Sequence, residues 1–469
     1  MEAMEFKAHY GFHNIPRCLP EMLDCIGRSY FEKARWVEQK NLRISQVQVR
    51  DSTSFTIEED KLLGILALLV IEFEGDVHAG GPASSEGTSS SASSGGASSE
   101  GEKRSHFYFF PMVIEREAAN AGGLGDKSPL LHIRGPGYFA RAYEAMKSLK
   151  FFLKVFELME EEITLHGQQG SFEFRKTGGV SPLYFAELME VPPIYTNSIA
   201  VLNKSEVFKV FRRLWPGMSS ELEMLLALQE RGVRGERGSG SAGGWSFKDV
   251  PRVMGYMVYR EKTPGLERTP GPPLGLSTTR ASRPLESVTY TLGIRETFVM
   301  NEGDAWEHFQ RGLTEVYNVA ALEAFSRLLS GEAEEDFRRY IRDAPWKRGS
   351  RLLDMAAGLG ALTFRLHDAL SRIGREGFEP EPFSDEDLRI LFSGAREMLE
   401  KAAATLNEVN PGKGKFAEAG QAIGKEARAE EILELLDLLA EGERLISGLG
   451  YRDFGKKIRV HGDLHLGQF

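Results

Sequence analysis

The most chemically suggestive string in the chain is Arg459-Val460-His461-Gly462-Asp463-Leu464-His465-Leu466-Gly467-Gln468-Phe469. An aspartate in a loop after a short basic, strand-like run can take the proton of a hydroxyl that attacks a phosphoryl group. An amide or carboxylate five residues on, as at Gln468, can reach a Mg²⁺ ion bridging the phosphates. An ordinary turn would also hold an aspartate at Asp463. His461 and His465 stand four apart, as a metal-binding pair on a helix would, but Gly462 disfavours a helix and the sequence offers no third ligand.

A second signal lies upstream. Val207-Phe208-Lys209-Val210-Phe211 is an apolar strand with one lysine at its centre, and a period of two turns Lys209 away from Phe208 and Val210. A turn at Pro216-Gly217 and a helix from about Ser219 follow, carrying Glu221 and Glu223. A strand lysine and a glutamate on the next helix form the ion pair that orients ATP phosphates in phosphoryl-transfer enzymes. A lone strand lysine can instead guard an edge, and Ser220-x-x-Glu223 also reads as a helix capping box. Two glycine-rich strings carry no such chemistry. Gly238 to Gly243 has neither a strand before it nor a helix after it, and Gly412 to Lys415 lacks P-loop spacing.

These residues need a scaffold to position them. At ~150 residues per domain, 469 residues suggest about three domains. Lys and Arg total 58 against 68 Asp and Glu, a net charge of −10, which argues against nucleic acid as the main partner. Cys18 and Cys25 form neither a disulfide framework nor a zinc cluster, which fits a reducing cytoplasm. The N-terminus lacks the apolar core of a signal peptide. The longest apolar run, Leu62 to Ile71, is about half a membrane span and reads as a buried strand or core segment. A soluble protein without membrane contact is expected.

Composition divides the chain into an α+β arrangement. Residues 1–165 read as a β-rich cap with a disordered insert at about 79–104. Residues 166–300 read as an α+β segment with inserts at about 231–244 and 262–284, and 301–469 as helical. Strands are predicted near Arg43 to Arg50, Ile65 to Phe73, His106 to Glu115, Ser171 to Arg175, Ile199 to Leu202, Glu206 to Phe211, Val253 to Arg260 and Tyr290 to Phe298. The spacing of Phe139, Ala142, Tyr143 and Met146 predicts a helix from Tyr138 to Met159. Leu359, Leu362, Leu366 and Leu370 share one helical face, and Ile432, Leu435, Leu436 and Leu439 another.

In chain order, several of these segments resemble the maltokinase family, in the aminoglycoside-phosphotransferase-like branch of the protein-kinase fold. Ala34-Arg-Trp36-x3-Lys40-x2-Arg43-Ile44 is similar to the family's cap signature. Phe174 to Gly178 and Asn197-Ser198 resemble the segment leading into the phosphate-side hairpin. Phe208 to Leu214 resembles the nucleotide-lysine strand, and Ser220 to Glu223 the helix with the partner glutamate. Phe298 to Trp306 resembles the hinge and its exit, and His461 to Gln468 the catalytic loop.

The resemblance implies a bilobal kinase-like fold and transfer of phosphate from ATP to maltose, giving maltose 1-phosphate for α-glucan synthesis. It implies Asp463 as base, Gln468 on Mg²⁺ and Lys209 on the phosphates, with Glu223 holding Lys209. Asn197 and Ser198 would lie at the phosphates, and the backbone of Thr297 and Val299 on adenine. A trehalose- or α-glucan-converting enzyme is the implied protein partner.

The match has departures. Tyr195-Thr-Asn-Ser198 keeps only Asn-Ser of its turn, and the Ser-rich and Gly-rich inserts are additions. The sequence stops one residue after Gln468, before the family's Asp-Phe-Glu-like strand and an incomplete helical lobe's remaining helices. The expectation is an incomplete kinase with little or no activity alone, because that carboxylate would bridge Mg²⁺ and the phosphates. A kinase for another sugar or an aminoglycoside, and a non-catalytic pseudokinase or interaction module, are the alternatives. Retention of Lys209 and Asp463 favours an enzyme over a scaffold.

Overall fold

The computed structural model describes residues 4–37, 42–74, 104–117, 128–178, 188–190, 197–235, 249–262, 287–330, 350–408, 438, 440–442, 444, 455–462 and 464–468. The architecture is α+β, with two seven-stranded sheets and several helices among these residues. The inserts expected at about 79–104, 231–244 and 262–284 lie almost wholly outside the described residues, as do Ile432, Leu435, Leu436 and Leu439. The second insert begins later than its composition suggests, since helix Ser220–Gly235 runs through its first residues.

The first sheet is built from β1 (Met4–Lys7), β2 (Arg43–Glu58), β3 (Leu62–Glu74), β4 (Arg104–Arg116), β5 (Leu131–Gly135) and β6 (Tyr138–Glu144), with the short strand Arg213–Leu214 on β4 as its seventh. Its order is β1-β5-β6-β4-β3-β2. The apolar run at Leu62 is β3, paired antiparallel with β4 from Leu62 opposite Glu115 to Phe73 opposite Arg104. It is apolar at nearly every position because both its faces are buried. Ile65, Ala67, Leu69, Ile71 and Phe73 join a core with α1 (Leu19–Ile26) and α2 (Arg28–Lys33). Leu62, Leu66 and Leu68 join a second core with α3 (Leu149–Glu160) and the second sheet.

The helix expected from Tyr138 to Met159 is half strand. Tyr138–Glu144 is β6, which pairs with β4 and β5, and α3 begins only at Leu149. Tyr138, Ala140 and Ala142 are buried while Phe139 is 53% exposed, a period of two that helical spacing of Phe139, Ala142 and Met146 had masked. The Ser148 hydroxyl accepts from the Phe151 amide and so starts the helix at its true position.

The second sheet comprises β7 (Thr164–His166), β8 (Gly170–Lys176), β9 (Leu188–Glu190), β10 (Ser198–Leu202), β11 (Glu206–Val210), β13 (Val253–Glu261) and β14 (Thr289–Thr297). Its order is β7-β8-β13-β14-β11-β10-β9, and every pairing is antiparallel. A short β12 (Arg213–Leu214) leaves it to pair with β4 of the first sheet. Helix α4 (Ser220–Gly235) connects β12 to β13, and α5 (Ala305–Leu329) follows β14. Both sheets and α5 belong to one compact unit, and residues from Thr363 to Gly462 to another. Helices Ser350–Ser371 and Asp385–Glu408 continue the helical region, with Leu359, Leu362 and Leu366 half-buried and Leu370 fully buried. No described helix is long and apolar enough to cross a membrane. Cys18 and Cys25 are free thiols.

Two buried polar joints fix the first sheet to the second. The Asp51 carboxylate accepts from the amides of Ser52, Gln168 and Gln169 and from the Tyr259 hydroxyl, at 2.7–3.0 Å. Arg212, fully buried, donates to Ser198 Oγ at 2.7 Å and to the Glu144 carboxylate, and lies over the Trp36 ring at 5.0 Å. The other Glu144 oxygen accepts from Tyr30 at 2.9 Å. Removing one member of such a pair strands a buried charge, at a cost of about 3–5 kcal/mol. Arg212→Met is therefore expected to lower the urea midpoint of unfolding with little change in the slope. Arg212→Met melting like the parent would show that the joint is dispensable.

Candidate functional site

Lys209 sits on β11, flanked by β10 and β14, with Ile199 opposite it on one side and Ile294 on the other. Phe208 and Val210 are fully buried in the core shared with α3, so their face of the sheet is filled. Lys209 takes the other face, where its side chain is 22% exposed. Gly293 beneath this strand has a local reason: a Cβ there would come within 2.8 Å of the Phe208 ring and 3.1 Å of the Lys209 carbonyl oxygen.

The strand is pinned at its start. Glu206 opens β11 and receives both guanidinium arms of Arg295 from β14, at 2.8 and 3.1 Å, both residues being buried. Arg295 also reaches Glu160 of α3 at 3.1 Å and stacks over Phe156 at 4.1 Å. This bidentate pair is worth more than a single contact because it fixes two strands and a helix in one register.

The Lys209 ammonium donates to Glu221 Oε2 at 2.6 Å. Its carboxylate partner is therefore Glu221 rather than Glu223. The helix is capped one residue before the expected box, since Ser219 Oγ accepts from the Leu222 amide at 3.3 Å, and the Ser219 amide donates to Thr291 Oγ1 at 2.8 Å. Two residues apart on a helix is a rotation of about 200°, so Glu221 and Glu223 cannot both face the strand. With Leu222 between them fully buried against Val253 and Ile294, the two carboxylates diverge to either side, and the one that meets Lys209 is Glu221. A pair this exposed adds no more than about 1 kcal/mol to stability. What it provides is a located ammonium.

Other expected site residues stand differently. Ser198 is buried and its hydroxyl oxygen is taken by Arg212, so the side chain serves the joint between the sheets rather than open solvent; Asn197 beside it is half-buried. The Thr297 amide donates to the Arg252 carbonyl at 3.0 Å and its hydroxyl accepts from the Arg252 amide at 2.9 Å, so that N–H is committed to β13. The Val299 carbonyl accepts from Asn301 at 3.2 Å, and its amide has no hydrogen-bond partner among the described residues. Asp463 and the Gln468 side chain lie outside the described residues. The backbone of Leu466–Gln468 forms a single 3-10 turn that packs against α5, in the same compact unit as Lys209. His461 and His465 flank Asp463, and His465 Nδ1 accepts from the Gly467 amide at 3.1 Å. Among the described residues no cluster of His, Cys, Asp and Glu could hold a metal ion.

Sequence reasoning passed over Glu296. It is 9% exposed on β14, in register with Val207, on the face that carries Lys209. No hydrogen bond to its carboxyl occurs among the described residues. Burial, with the Glu221 charge nearby, pushes it up to about 7, against the pull of Lys209. The signal was present: Arg295-Glu296 is a charged pair inside the otherwise uncharged strand sequence Tyr290 to Phe298.

The chain matches no protein-family model, and no curated protein is significantly similar to it. The chemistry must be argued from the residues.

A carboxyl raised on folding holds its proton more tightly in the folded chain. The resulting handicap is absent below its ordinary pKa of 4.5 and complete once pH exceeds about 7. Glu296→Gln is expected to gain stability over the parent between pH 4.5 and pH 8, by on the order of 3 kcal/mol. Parallel urea melts at the two pH values measure it; a pH-independent difference would mean that Glu296 is already ionised without strain.

Proposed function

We propose that this chain is an ATP-dependent sugar kinase of the bilobal, kinase-like kind, with maltose the favoured acceptor. The observation that carries the reading is the 2.6 Å contact between Lys209 on a central strand and Glu221 on the helix that follows. Three features of the fold support it. The strands β9-β10-β11-β14-β13 form a wholly antiparallel sheet in that order. Helix α4 lies between β12 and β13 in sequence and packs on the Lys209 face. The chain then leaves β14 through an exposed segment, with Val299 54% and Met300 73% exposed, into α5.

In this reading Glu221 holds Lys209 extended so that the ammonium donates to phosphate oxygens without first searching for its position. That lowers the entropy cost of aligning the transferred group. The Val299 amide is available as a donor to the base. Asp463 takes the proton of the attacking sugar hydroxyl, and Gln468 offers an amide oxygen of the hard type that Mg²⁺ prefers. When bound, Mg²⁺ supplies neutralisation of charge on the phosphates.

The test is phosphorus NMR of the natural full-length protein incubated with ATP, Mg²⁺ and maltose. Maltose 1-phosphate is the expected product, and Lys209→Met is expected to reduce its formation about a hundredfold or more. Phosphorylation of glucosamine or an aminoglycoside in place of maltose would keep the kinase and change its acceptor. ATP binding that ignores Lys209→Met and Glu221→Gln alike would remove the reading.

A further inference from the structure

Glu296 is buried to 9% exposure, lacks a hydrogen-bond donor among the described residues, and shares its face with Lys209. From β11 comes Lys209, whose ammonium is already bonded to Glu221; from α4 comes Glu221 itself; from β13 its register neighbour is the apolar Val253. One ammonium thus stands near two carboxyls and serves only one of them.

A buried carboxyl without donors is costly, roughly 1–3 kcal/mol beyond a satisfied one. Such a group persists where a ligand completes it. Three residues further along the chain the Val299 amide also lacks a partner among the described residues. Together they offer an acceptor and a donor at the end of one strand, beside the ammonium expected to meet the phosphates. The edge of adenine is the complement: its 6-amino group donates and its neighbouring ring nitrogen accepts.

We propose that Glu296 is a specificity-determining residue of the nucleotide site, accepting a hydrogen bond from the 6-amino group of adenine. The assignment rests on the nucleotide reading of Lys209 and extends it to the base. The raised proton affinity of Glu296 fits a carboxyl waiting for a donor, and a base amine would supply the one that Lys209 does not.

The test is a double-mutant cycle between protein and ligand. Binding of Mg-ATP and of Mg-purine riboside triphosphate, which is ATP without the 6-amino group, is measured by calorimetry on the full chain and on Glu296→Leu and Glu296→Gln. The parent is expected to bind the deaminated nucleotide about tenfold or more weakly, as for loss of a hydrogen bond to a charged group. In Glu296→Leu the two nucleotides are expected to bind within about twofold of each other. The parent comparison alone decides even if a variant does not fold: equal affinity for the two nucleotides overturns the assignment. A Glu296→Leu chain that keeps the parent's full preference for ATP also overturns it, while leaving Lys209-dependent nucleotide binding intact. A parent chain that binds neither nucleotide overturns both the assignment and the reading beneath it.

Discussion

A single ammonium held at a fixed place on a sheet is the constraint around which the described fold is organised. Lys209 is free to point outward only because Phe208 and Val210 fill the opposite face, and it is held still only because Glu221 meets it at 2.6 Å. Burial of Phe208 and Val210 contributes to the core, but the ion pair itself gives little stability. A half-exposed ion pair is weak, and the surrounding joints do the holding. Arg295 with Glu206 sets the register of β11 on β14, Gly293 lets the two strands close, and Ser219 sets the phase of α4. Positional accuracy is bought with buried charge elsewhere.

The first sheet is part of that accuracy. Its strand β3 is buried on both sides, against α1 and α2 on one and against α3 and the second sheet on the other. Arg212 comes two residues after β11 and reaches Ser198, Glu144 and the Trp36 ring. A displacement of the first sheet would therefore be felt by both strands of the β10–β11 hairpin at its open end, where Ser198 pairs with Val210. Low-dielectric surroundings make such a network stiff when complete and costly when any member is lost.

Much of the local structure was legible because it depends on short-range periodicity. The run at Leu62 announced a buried strand, and a period of two assigned the face of Lys209 correctly. Where two periodicities coincide, reading failed: Phe139, Ala142 and Met146 fit a helix, yet Tyr138–Glu144 is a strand because β4 and β5 offer it partners on both sides. The choice of Glu221 over Glu223 depends on which side of the buried Leu222 faces Lys209, and that follows from how α4 lies on the sheet, a tertiary fact with no local sequence signal. The Arg212 joint joins residues as far apart as Trp36, Glu144 and Ser198, and no local pattern announces such a meeting. Glu296 is the intermediate case: its charge inside a strand is visible in the sequence, but its burial on the Lys209 face is set by the pairing of β14 with β11.

The most direct measurement is chemical. An acyl phosphate of ATP transfers its acyl group from the phosphate anhydride to whichever amine lies beside the bound phosphates, and mass spectrometry of the digested chain locates it. The account requires Lys209 to carry the label, with excess Mg-ATP protecting it and Glu221→Gln weakening its preference over other lysines. Label spread over surface lysines without protection by Mg-ATP, or concentrated on a lysine other than Lys209, would contradict it.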